Sequence, residues 1–599
     1  MHLPSVDLVV TAARRTARRF PLVLGASLVA ALTGMMLASH PGDSTELTRL
    51  LVAATLGLPL LFALTLFAER RAQSAATHWL LLALGVGVLA SVWAAWPGWS
   101  PSVQTLRYVQ LSIAFHLLVA FLPFAGLDEP NGFWHYNKVI FLRFLTAWLY
   151  AAVLYAGLAI ALLAVDRLFG VKVPSESYAR LWIFIGFVFH SWVFLGGVPE
   201  DLAALESRSD YPAGLKVFTQ FVLVPIVAVY LGILTLYLAK VLITRQWPSG
   251  WIGYLVSSVS SVGILSWLLV RPLEDRAGNA WVKVFMRGFY VVLVPAIVML
   301  WLAIFKRVAQ YGITERRYFL IVLSLWLAAV AVYFTLSRSR SIKLIPASLC
   351  VLALLTLAGP TGAYAVSRTS QVARLRDVLV RNGLLTQGRL IRSTRDVPVA
   401  DRTEISGGLR YLLETHGPGT IAPWLTDSVA RALGTSHAPF TRGAGDADAR
   451  TVMQSINVEY AVAGPPGSTG YFSYYVPPPR GPIAIDGYQY AIRLSYWVAR
   501  DSLKITDHTY LRLASDSARL LVSRDGAQIL EVPLLAMLDS AAAFQRLTPN
   551  RPLPAELMRV EARAGDVAAK VYLSQMSGTR SARGAKITSM DGELFLRIP

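Results

Sequence analysis

The sequence contains very little cysteine and few charged residues. Its 599 residues include one cysteine, Cys350, and only 15% of the chain is Asp, Glu, Lys or Arg. Because Cys350, which lies inside an apolar run, is a single cysteine, no disulfide and no cysteine-based metal cluster forms within one chain. An ordinary soluble domain carries more charge than this, so the composition excludes a wholly soluble globular protein.

Carboxylates are missing from the interior of the long apolar runs. This absence disfavours a proton- or sodium-coupled pump, whose ion site needs an anionic or carbonyl-rich pocket. Two histidines, His116 and His190, do lie within apolar runs, and an ionisable group inside a membrane is a candidate for function. A neutral histidine without a carboxylate partner is also easily buried, so simple packing is the alternative.

Apolar sequence, by contrast, is abundant. Hydrophobic residues make up 55% of the chain, and runs of about 17 to 25 residues, long enough to cross a bilayer, recur about eleven times. These runs lie near residues 20–38, 47–68, 78–96, 105–124, 140–164, 180–197, 217–243, 250–270, 286–305, 318–336 and 344–366.

The long runs stop near Val366, and the last third of the chain has the composition of a globular protein. We therefore expect an α-helical polytopic membrane domain over residues 1–366 and a membrane-surface amphipathic helix or linker over 367–385. A C-terminal soluble α+β domain with a small antiparallel sheet is expected over 386–599.

The basic residues predict an orientation. The net charge of +20 would suit nucleic acid in a soluble protein, but here Lys and Arg lie in short loops beside the spans, so no nucleic-acid partner is expected. A basic cluster at 14–19 precedes the first run and predicts an uncleaved signal anchor. About 17 Lys and Arg lie on the N-terminal side against about 11 on the other, which predicts a cytoplasmic N-terminus and a periplasmic C-terminal domain.

A short segment with helical periodicity follows the last run. Val372, Leu375, Val378 and Leu379 share one helical face, and Asn382-Gly383 is typical of a helix C-cap. Such a helix either lies on the membrane surface or packs on the soluble domain, and both interpretations fit the pattern.

The C-terminal third contains helical and alternating segments. The pattern is helical over 402–433 and alternating beyond residue 451, with a further helix near 533–544. The dipeptides Asp525-Gly526 and Asp591-Gly592 lie between apolar segments and predict hairpin turns. Aromatic residues at 471–475, followed by prolines at 477–479, predict sheet core or an exposed platform for a saccharide or peptide.

An internal similarity suggests a duplication. Val222-Leu223-Val224-Pro225 recurs as Val292-Leu293-Val294-Pro295, and Ile243-Thr244 recurs as Ile313-Thr314. Two helix pairs running in the same direction would follow, although short apolar matches also arise by chance. Pro225 and Pro295 each remove a helical hydrogen bond inside a span, which produces either a site-lining break or only a packing kink.

Charged loop ends are the remaining candidates for a site. Glu200 and Asp201, the segment 271–276, and Glu315 with Arg316 and Arg317 either bind a lipid headgroup or are solvated helix ends. The sequence has no phosphate loop, dinucleotide fingerprint, paired-histidine zinc motif or nucleophile elbow. An enzyme is therefore not favoured, and no metal or cofactor is predicted.

Several of these segments resemble a known family of bacterial membrane proteins, catalogued as domain of unknown function 4153. The resemblance rests on Asn131-Gly132-Phe133-Trp134 through Asn137, Pro199-Glu200-Asp201-Leu202, Tyr311-Gly312-Ile313-Thr314-Glu315 with Arg317-Tyr318, and Ser367-Arg368 with Ser370-Gln371-Val372 through Arg376. It implies a multi-pass protein of the bacterial inner membrane and assigns no activity to any residue.

Three functions fit these observations. The broken helices and the basic loop near Arg316 favour transport or the handling of lipids or envelope components, with a regulatory soluble domain. A membrane-anchored scaffold would instead present the soluble domain to an envelope protein or saccharide. A membrane transferase would use the acidic pairs Glu200-Asp201 and Glu274-Asp275. Membrane lipids are expected partners in each case.

Overall fold

The computed structural model describes residues 6–39, 45–71, 73–96, 101–245, 252–274, 280–337, 341–435, 444–461, 471–476, 485–495, 502–514, 519–547, 553–581 and 584–598. The chain divides into two compact units, Met1–Ser370 and Gln371–Pro599. This boundary lies four residues beyond Val366, where the long apolar runs stop.

The first unit, called the membrane unit below, is helical throughout its described elements. Ten of its described helices are long and apolar enough to cross a membrane. Helix is expected in these runs because hydrocarbon offers no other partner for backbone N–H and C=O groups. The helices are α1 (Val6–Arg19), α2 (Pro21–Ser39), α3 (Thr45–Arg70), α4 (Ala75–Ala95), α5 (Pro101–Phe121), α6 (Pro130–Phe169), α7 (Ser175–Phe184), α8 (His190–Gly196), α9 (Ala213–Phe218), α10 (Val224–Thr244), α11 (Ile252–Val270), α12 (Ala280–Tyr311), α13 (Glu315–Leu336), α14 (Leu344–Leu355) and α15 (Ala363–Arg381).

Hydrogen bonds show which helix ends lie together. At one end, called the first face, Arg19 at the end of α1 bonds to Glu69 near the end of α3. At the other end, called the second face, the Tyr364 hydroxyl at the start of α15 donates to the carbonyl of Ser102 at the start of α5. Successive long helices therefore run between two distinct polar faces.

The eleventh expected span, over 344–366, is only partly helical. Helix α14 has 12 residues, which rise about 18 Å and fall short of the roughly 30 Å hydrocarbon layer. The helix is not resumed until Ala363, because Gly359 adopts a φ of +82° and Pro360 follows it. The apolar run near 344–366 is therefore not one continuous helix.

The chain nevertheless passes from one face to the other in this segment. The Lys343 ammonium donates to the carbonyl of Leu127, just beyond the first-face end of α5. Tyr364 contacts Ser102 at the opposite end of the same helix. Residues 344–363 thus make an eleventh crossing, and the predicted fold class of about eleven spans followed by an α+β region is confirmed.

Two spans contain a π turn. Ile185–Phe189 joins α7 to α8, and Thr219–Leu223 joins α9 to α10. A π turn leaves a carbonyl without its usual partner along the helix. In the first turn, Ser27 of α2 donates its hydroxyl to the Phe187 carbonyl at 2.5 Å, so a neighbouring helix satisfies the freed group.

Charged side chains join the loops at the first face. The Arg19 guanidinium donates to both carboxylate oxygens of Glu69, at 3.0 and 2.8 Å, and to the carbonyls of Val198 and Pro199, at 3.0 and 2.9 Å. The Arg19 side chain is only 15% exposed. Charge-assisted and bidentate bonds of this kind are the strongest protein hydrogen bonds, so Arg19 fixes the entry to the first span.

The start of α6 contributes a second set of first-face contacts. Side chains there donate to backbone carbonyls at the ends of other segments. These bonds are Asn131 to Glu206 and Arg208, Trp134 to Leu268, Tyr136 to Val119, and Asn137 to Ala120. The segment that carries part of the family resemblance is therefore a structural junction among α5, α6, α11 and the loop after α8.

The two sequence-similar helix pairs share their lengths but not their local structure. The first helices, Ala213–Thr244 and Trp281–Tyr311, have 32 and 31 residues, and both second helices have 22. A π turn precedes Pro225, whereas α12 is a regular helix around Pro295. Thr244 is the last residue of α10, but Thr314 lies beyond the end of α12.

The second unit begins with a helical part. Helix α15 ends in a Schellman motif, in which Gly383 and Leu384 donate to the carbonyls of Val380 and Leu379. The C-cap predicted at Asn382-Gly383 is therefore confirmed. The other elements here are the strands β1 (Leu385–Thr386) and β2 (Arg389–Leu390) and the helices α16 (Val399–His416), α17 (Asp427–Thr435) and α18 (Ala444–Ser455).

The apolar face of α15 packs inside this helical part. Leu375, Val378 and Leu379 are at most 2% exposed and share a core with Leu409 and Leu412 of α16. Protein already covers these three side chains. The alternative interpretation, in which this face of α15 lies on the membrane surface, is therefore wrong for Leu375, Val378 and Leu379.

The remaining elements form two antiparallel sheets. The first has the order β3-β10-β11-β4, with β9 also pairing with β10, and the second has the order β5-β6-β7-β8. Both sheets and helix α19 share one apolar core. The elements are β3 (Tyr471–Tyr475), β4 (Tyr490–Ser495), β5 (Leu503–Lys504), β6 (Thr509–Leu513), β7 (Arg519–Arg524), β8 (Ala527–Pro533), α19 (Leu535–Leu547), β9 (Arg559–Ala564), β10 (Val567–Ser581) and β11 (Gly584–Arg597).

Of the two predicted hairpin turns, one is present in the structure and the other is not. Asp525 and Gly526 join β7 to β8 with φ values of +49° and +82°, as a two-residue hairpin loop requires. Asp591-Gly592 instead lies within β11, where Asp591 pairs with Gln575. A Cβ on Gly592 would lie 2.1 Å from the Tyr572 carbonyl oxygen, so this glycine permits a close backbone approach at a bulge and forms no turn.

Replacing Asp401 by Ala is expected to loosen the junction of α15 and α16 in a pH-dependent way. Hydrogen bonds from Asn382 and Arg381 hold the pKa of the Asp401 carboxyl below its ordinary value. Its stabilisation is present above the unfolded pKa and is lost as pH falls through the lower, folded pKa. At neutral pH we expect about fivefold faster hydrogen exchange at this junction.

The control for this measurement is Asp396→Ala, because Asp396 is exposed in the same region. The control is expected to leave exchange unchanged. Equal effects of the two changes, or an Asp401 effect that persists after the carboxyl is protonated, would contradict the assignment.

Replacing Arg19 by Ala is expected to destabilise the membrane unit by about 2–3 kcal/mol, because the partly buried Glu69 loses a bidentate partner. The single cysteine, Cys350, is 1% exposed, so a thiol-reactive dye reports unfolding of this unit in detergent. A lower Tm is expected for Arg19→Ala. Arg18→Ala, which changes an exposed arginine one position earlier, is expected to leave Tm within error.

Candidate functional site

A buried carboxylate lies at the second face. Glu315 is the first residue of α13 and is 8% exposed. Ser367 of α15, which is fully buried, donates its hydroxyl to Glu315 Oε1 at 2.6 Å. A carboxylate in the first turn of a helix is also favoured by the helix dipole. The start of a membrane span is thus bonded to the helix that continues into the second unit.

Two further bonds join the same segments. The Ile313 amide donates to the Ser370 hydroxyl at 2.9 Å, and the Tyr318 hydroxyl donates to the Thr361 carbonyl at 2.5 Å. Thr361 belongs to the irregular part of the eleventh crossing. The first turn of α13 therefore contacts the end of that crossing, and the loop before it contacts α15.

Arg317 completes the end of α12. Its guanidinium donates to the carbonyls of Tyr311 and Gly312, at 3.1 and 2.8 Å. Gly312 has a φ of +67° and donates its N–H to the Val308 carbonyl, as a left-handed helix cap does. Arg317 therefore caps a helix end and shapes the loop that presents Glu315.

Helix α5 adds a polar stripe to this site. The Arg107 guanidinium lies 5.5 Å from the centre of the Tyr364 ring. Gln110, one turn further along α5, donates to the Thr356 hydroxyl at 3.1 Å, and its own carbonyl oxygen is buried without a hydrogen-bond partner among the described residues. Burial raises the pKa of the Tyr364 phenol well above its ordinary value, and the Glu315 carboxylate adds to this rise while Arg107 opposes it.

The site therefore contains one buried acid, several hydroxyl groups and the guanidinium groups of Arg107 and Arg317. The Tyr364 hydroxyl donates to the Ser102 carbonyl at the start of α5. The Ser367 hydroxyl and the Glu315 carboxylate are both buried and bonded to each other, so this contact joins α13 to α15.

The acidic pair proposed for a transferase has structural contacts. Glu200 forms an exposed ion pair with Arg15 at 3.0 Å. The Asp201 carboxylate accepts the N–H groups of Ala203 and Ala204, at 2.8 and 3.1 Å, and so caps a short turn. Glu274 contacts Arg271, and Asp275 and Arg276 lie outside the described residues.

The two membrane histidines lie apart from each other and from Glu315. His116 is exposed on the surface of α5, and its Nδ1 lies 2.7 Å from the Ser112 carbonyl of the same helix. His190 follows the first π turn and packs edge-on against Phe144, with ring centres 5.0 Å apart. Its Nε2 is buried with no partner in the described part of the chain.

The two prolines also occupy different environments. Pro225 is exposed and follows the second π turn, whereas Pro295 is half-buried within α12. Neither residue contacts the Glu315 site in the described geometry. Arg316 is exposed beside that site.

The aromatic segment of the second unit divides between its two sheet faces. Tyr474 is 8% exposed and stacks on Phe472, with ring centres 5.6 Å apart. Tyr475 is 63% exposed. The prolines at 477–479 lie outside the described residues.

Sequence reasoning selected Glu315 and Arg317 but missed Arg107, Gln110 and Tyr364. A signal for Arg107 was present, since a lone arginine near the start of an apolar run is unusual and often functional. No local signal exists for Gln110 and Thr356, because the two residues are 246 positions apart.

Comparisons with known proteins agree with this architecture. A protein from Pasteurella multocida (strain Pm70), named "Uncharacterized protein PM1469", is 25% identical over 281 residues, which are 46% of this chain and 48% of that protein. The match thus spans about half the length of that relative. No solved structure matches the chain. The ten long apolar helices make this chain a multi-pass membrane protein. The family model described as "Domain of unknown function (DUF4153)" matches residues 20–389, which include the Glu315 site and the first-face residues that follow α1, and the chain therefore belongs to this family.

Proposed function

We propose that the protein moves or handles lipids or lipid-linked envelope components in the bacterial inner membrane, with its C-terminal unit as the regulator. The observation that carries this proposal is the hydrogen bond between buried Glu315 at the start of α13 and Ser367 of α15. It gives the membrane unit a direct connection to the helix that enters the second unit.

The hydrogen bond between Glu315 and Ser367 is either formed or broken, and the two states differ in free energy. With the bond formed, the buried carboxylate has a hydroxyl donor. If α15 moves, Glu315 loses that donor, and a charge-assisted bond of this kind is worth about 1.5–3 kcal/mol. A rearrangement of the second unit, whose helical core contains Leu375 and Leu379 of α15, therefore biases the position of α13.

A lipid substrate fits the membrane unit better than an ion. The described interiors of the ten long helices carry hydroxyl and amide groups but no carboxylate deep in the apolar layer, which an ion-coupled site would need. An amphipathic substrate keeps its tails in the bilayer, so its passage requires only a polar path for the headgroup. Gln110 and Thr356, which are buried and bonded to each other, place polar groups inside the membrane unit.

The proposed orientation places the first face in the cytoplasm and the C-terminal unit in the periplasm. Basic residues favour a cytoplasmic N-terminus. The eleventh crossing between Lys343 and Tyr364 then carries the chain to the opposite side.

An envelope scaffold is the alternative function. It is favoured by Tyr475, which is 63% exposed on strand β3 and suits contact with an envelope protein or saccharide. A fusion of residues 371–599 to an unrelated membrane anchor distinguishes the scaffold function from transport. Restoration of a deletion phenotype by that fusion would support the scaffold and exclude transport.

Purified protein in liposomes is expected to move one of three substrate classes above an empty-vesicle control: phospholipids, lipid-linked sugars or small ions. The active class is expected to be a lipid. Ser367→Ala, which removes the donor to Glu315, is expected to lower the rate by about tenfold, equivalent to the loss of one such bond.

The matched control is Ser91→Ala, since among the described residues the Ser91 hydroxyl bonds only to the Val88 carbonyl of its own helix. Its transport rate is expected to equal the wild-type rate. The lipid-handling proposal fails if no candidate moves. The coupling proposal fails if a candidate moves equally well in all three proteins.

Paired reporter fusions at Pro599 test the orientation. We expect activity from a reporter that works only in the periplasm and none from its cytoplasmic counterpart, because the chain makes eleven crossings after a cytoplasmic start. Fusions after residue 337, at the end of the tenth helix, should give the opposite pattern. A cytoplasmic signal at both positions would overturn the assignment.

A further inference from the structure

Helix α1 lies at the boundary of the membrane unit. Only Phe20 separates it from α2, the first membrane-spanning helix. Arg15 and Arg19 of α1 contact the first-face residues Glu200 and Glu69. The helix is therefore held at the level where lipid headgroups meet the first face.

Most of the arginines of α1 point away from the protein. Arg14, Arg15 and Arg18 are exposed, whereas Arg19 is used internally. The pair between Arg15 and Glu200 has side chains that are 70% and 66% exposed, and exposed pairs of this kind are weak. Three cationic groups within five positions are thus available to an external partner.

The rest of α1 makes few contacts with the protein. Of its side chains that the structure describes, only Thr16 is buried, where α1 passes close to Gly196 at the end of α8. Val10 is 40% exposed. An amphipathic helix with an open apolar side chain and a cationic face is the form that lies in the interfacial layer of a bilayer.

We propose that α1 is a binding surface for anionic phospholipid headgroups at the first face. The occupant follows from charge complementarity and from the position of the helix, since phosphate groups of the leaflet are the anions present at that depth. Guanidinium groups suit them because they bind phosphate oxygens in a bidentate way. This surface is independent of what the membrane unit moves.

Lipid binding has a consequence for Glu200. A headgroup phosphate competes with the Glu200 carboxylate for Arg15, because both are anions at the same guanidinium. Removal of the Glu200 charge therefore strengthens lipid binding. The loop that carries Glu200 and Asp201, part of the family resemblance, then responds to the charge of the leaflet.

The test measures lipid preference in the full-length protein. Spin-labelled phosphatidylglycerol and spin-labelled phosphatidylcholine are each added to reconstituted protein, and electron paramagnetic resonance gives the ratio of their association constants. We expect the wild type to prefer phosphatidylglycerol. The triple change Arg14→Gln, Arg15→Gln and Arg18→Gln is expected to lower this ratio, by up to about fivefold for each arginine at low salt.

Three further variants test whether the lipid preference depends on α1 itself or only on the total charge of the protein. Arg389→Gln with Arg392→Gln and Arg395→Gln removes three exposed charges from the second unit and is expected to keep the wild-type ratio. The triple change Arg14→Lys, Arg15→Lys and Arg18→Lys should keep the preference for phosphatidylglycerol. It also shows that these three positions tolerate substitution. Glu200→Gln should raise the preference for phosphatidylglycerol.

The proposal is overturned if the α1 glutamine variant keeps the wild-type ratio, or if the control triple lowers the ratio equally. It is also overturned if the glutamine variant fails to insert while both the lysine variant and Glu200→Gln show no preference for phosphatidylglycerol.

Discussion

Hydrocarbon gives a backbone amide no partner, and this constraint governs every irregular feature of the membrane unit. At two irregular segments among the described residues, a side chain from another helix bonds to a backbone carbonyl. Ser27 bonds to the Phe187 carbonyl in the first π turn, and Tyr318 bonds to the Thr361 carbonyl in the eleventh crossing. The breaks therefore fix which helices must be neighbours, because only a neighbour can satisfy them.

The two faces satisfy their polar groups by different means. At the first face, charged pairs such as Arg19 with Glu69 and Arg70 with Glu129 join separate loops. At the second face, the buried acid Glu315 accepts from a neutral hydroxyl. Breaking the partly buried ion pair leaves an unpaired charge and is strongly disfavoured. Loss of the Ser367 hydroxyl removes a donor from a buried carboxylate and costs about 1.5–3 kcal/mol, so both faces resist separation of the segments that they join.

Local sequence predicted the parts of the structure that local forces decide. Ten spans followed from apolar runs of membrane length, and the Asp525-Gly526 turn followed from two residues that tolerate positive φ. Asp591-Gly592 has the same composition but lies inside β11, because pairing with β10 needs a glycine for close approach. The same dipeptide thus serves two purposes, and only the long-range strand pairing distinguishes them.

The candidate site was predictable only in part, for a related reason. Glu315 and Arg317 stood out as charges at the edge of a span, yet the partners that give Glu315 its role lie on α15, some 52 positions further along the chain. Gln110 and Thr356 are farther apart still. A hydrogen bond between distant segments leaves no periodicity or motif behind, so one sequence by itself carries no record of it.

The similar tetrapeptides at Pro225 and Pro295 extend this argument to the membrane helices. A proline removes one donor and crowds the carbonyl four residues before it. On the exposed surface of the α9–α10 span, the helix widens into a π turn just before Pro225. At Pro295 the flanking residues Leu293, Ala296 and Ile297 are at most 3% exposed, and close packing on that side leaves little room for a wider turn. The same tetrapeptide therefore occurs in two helix geometries, which differ in the residues before it and in the packing around it.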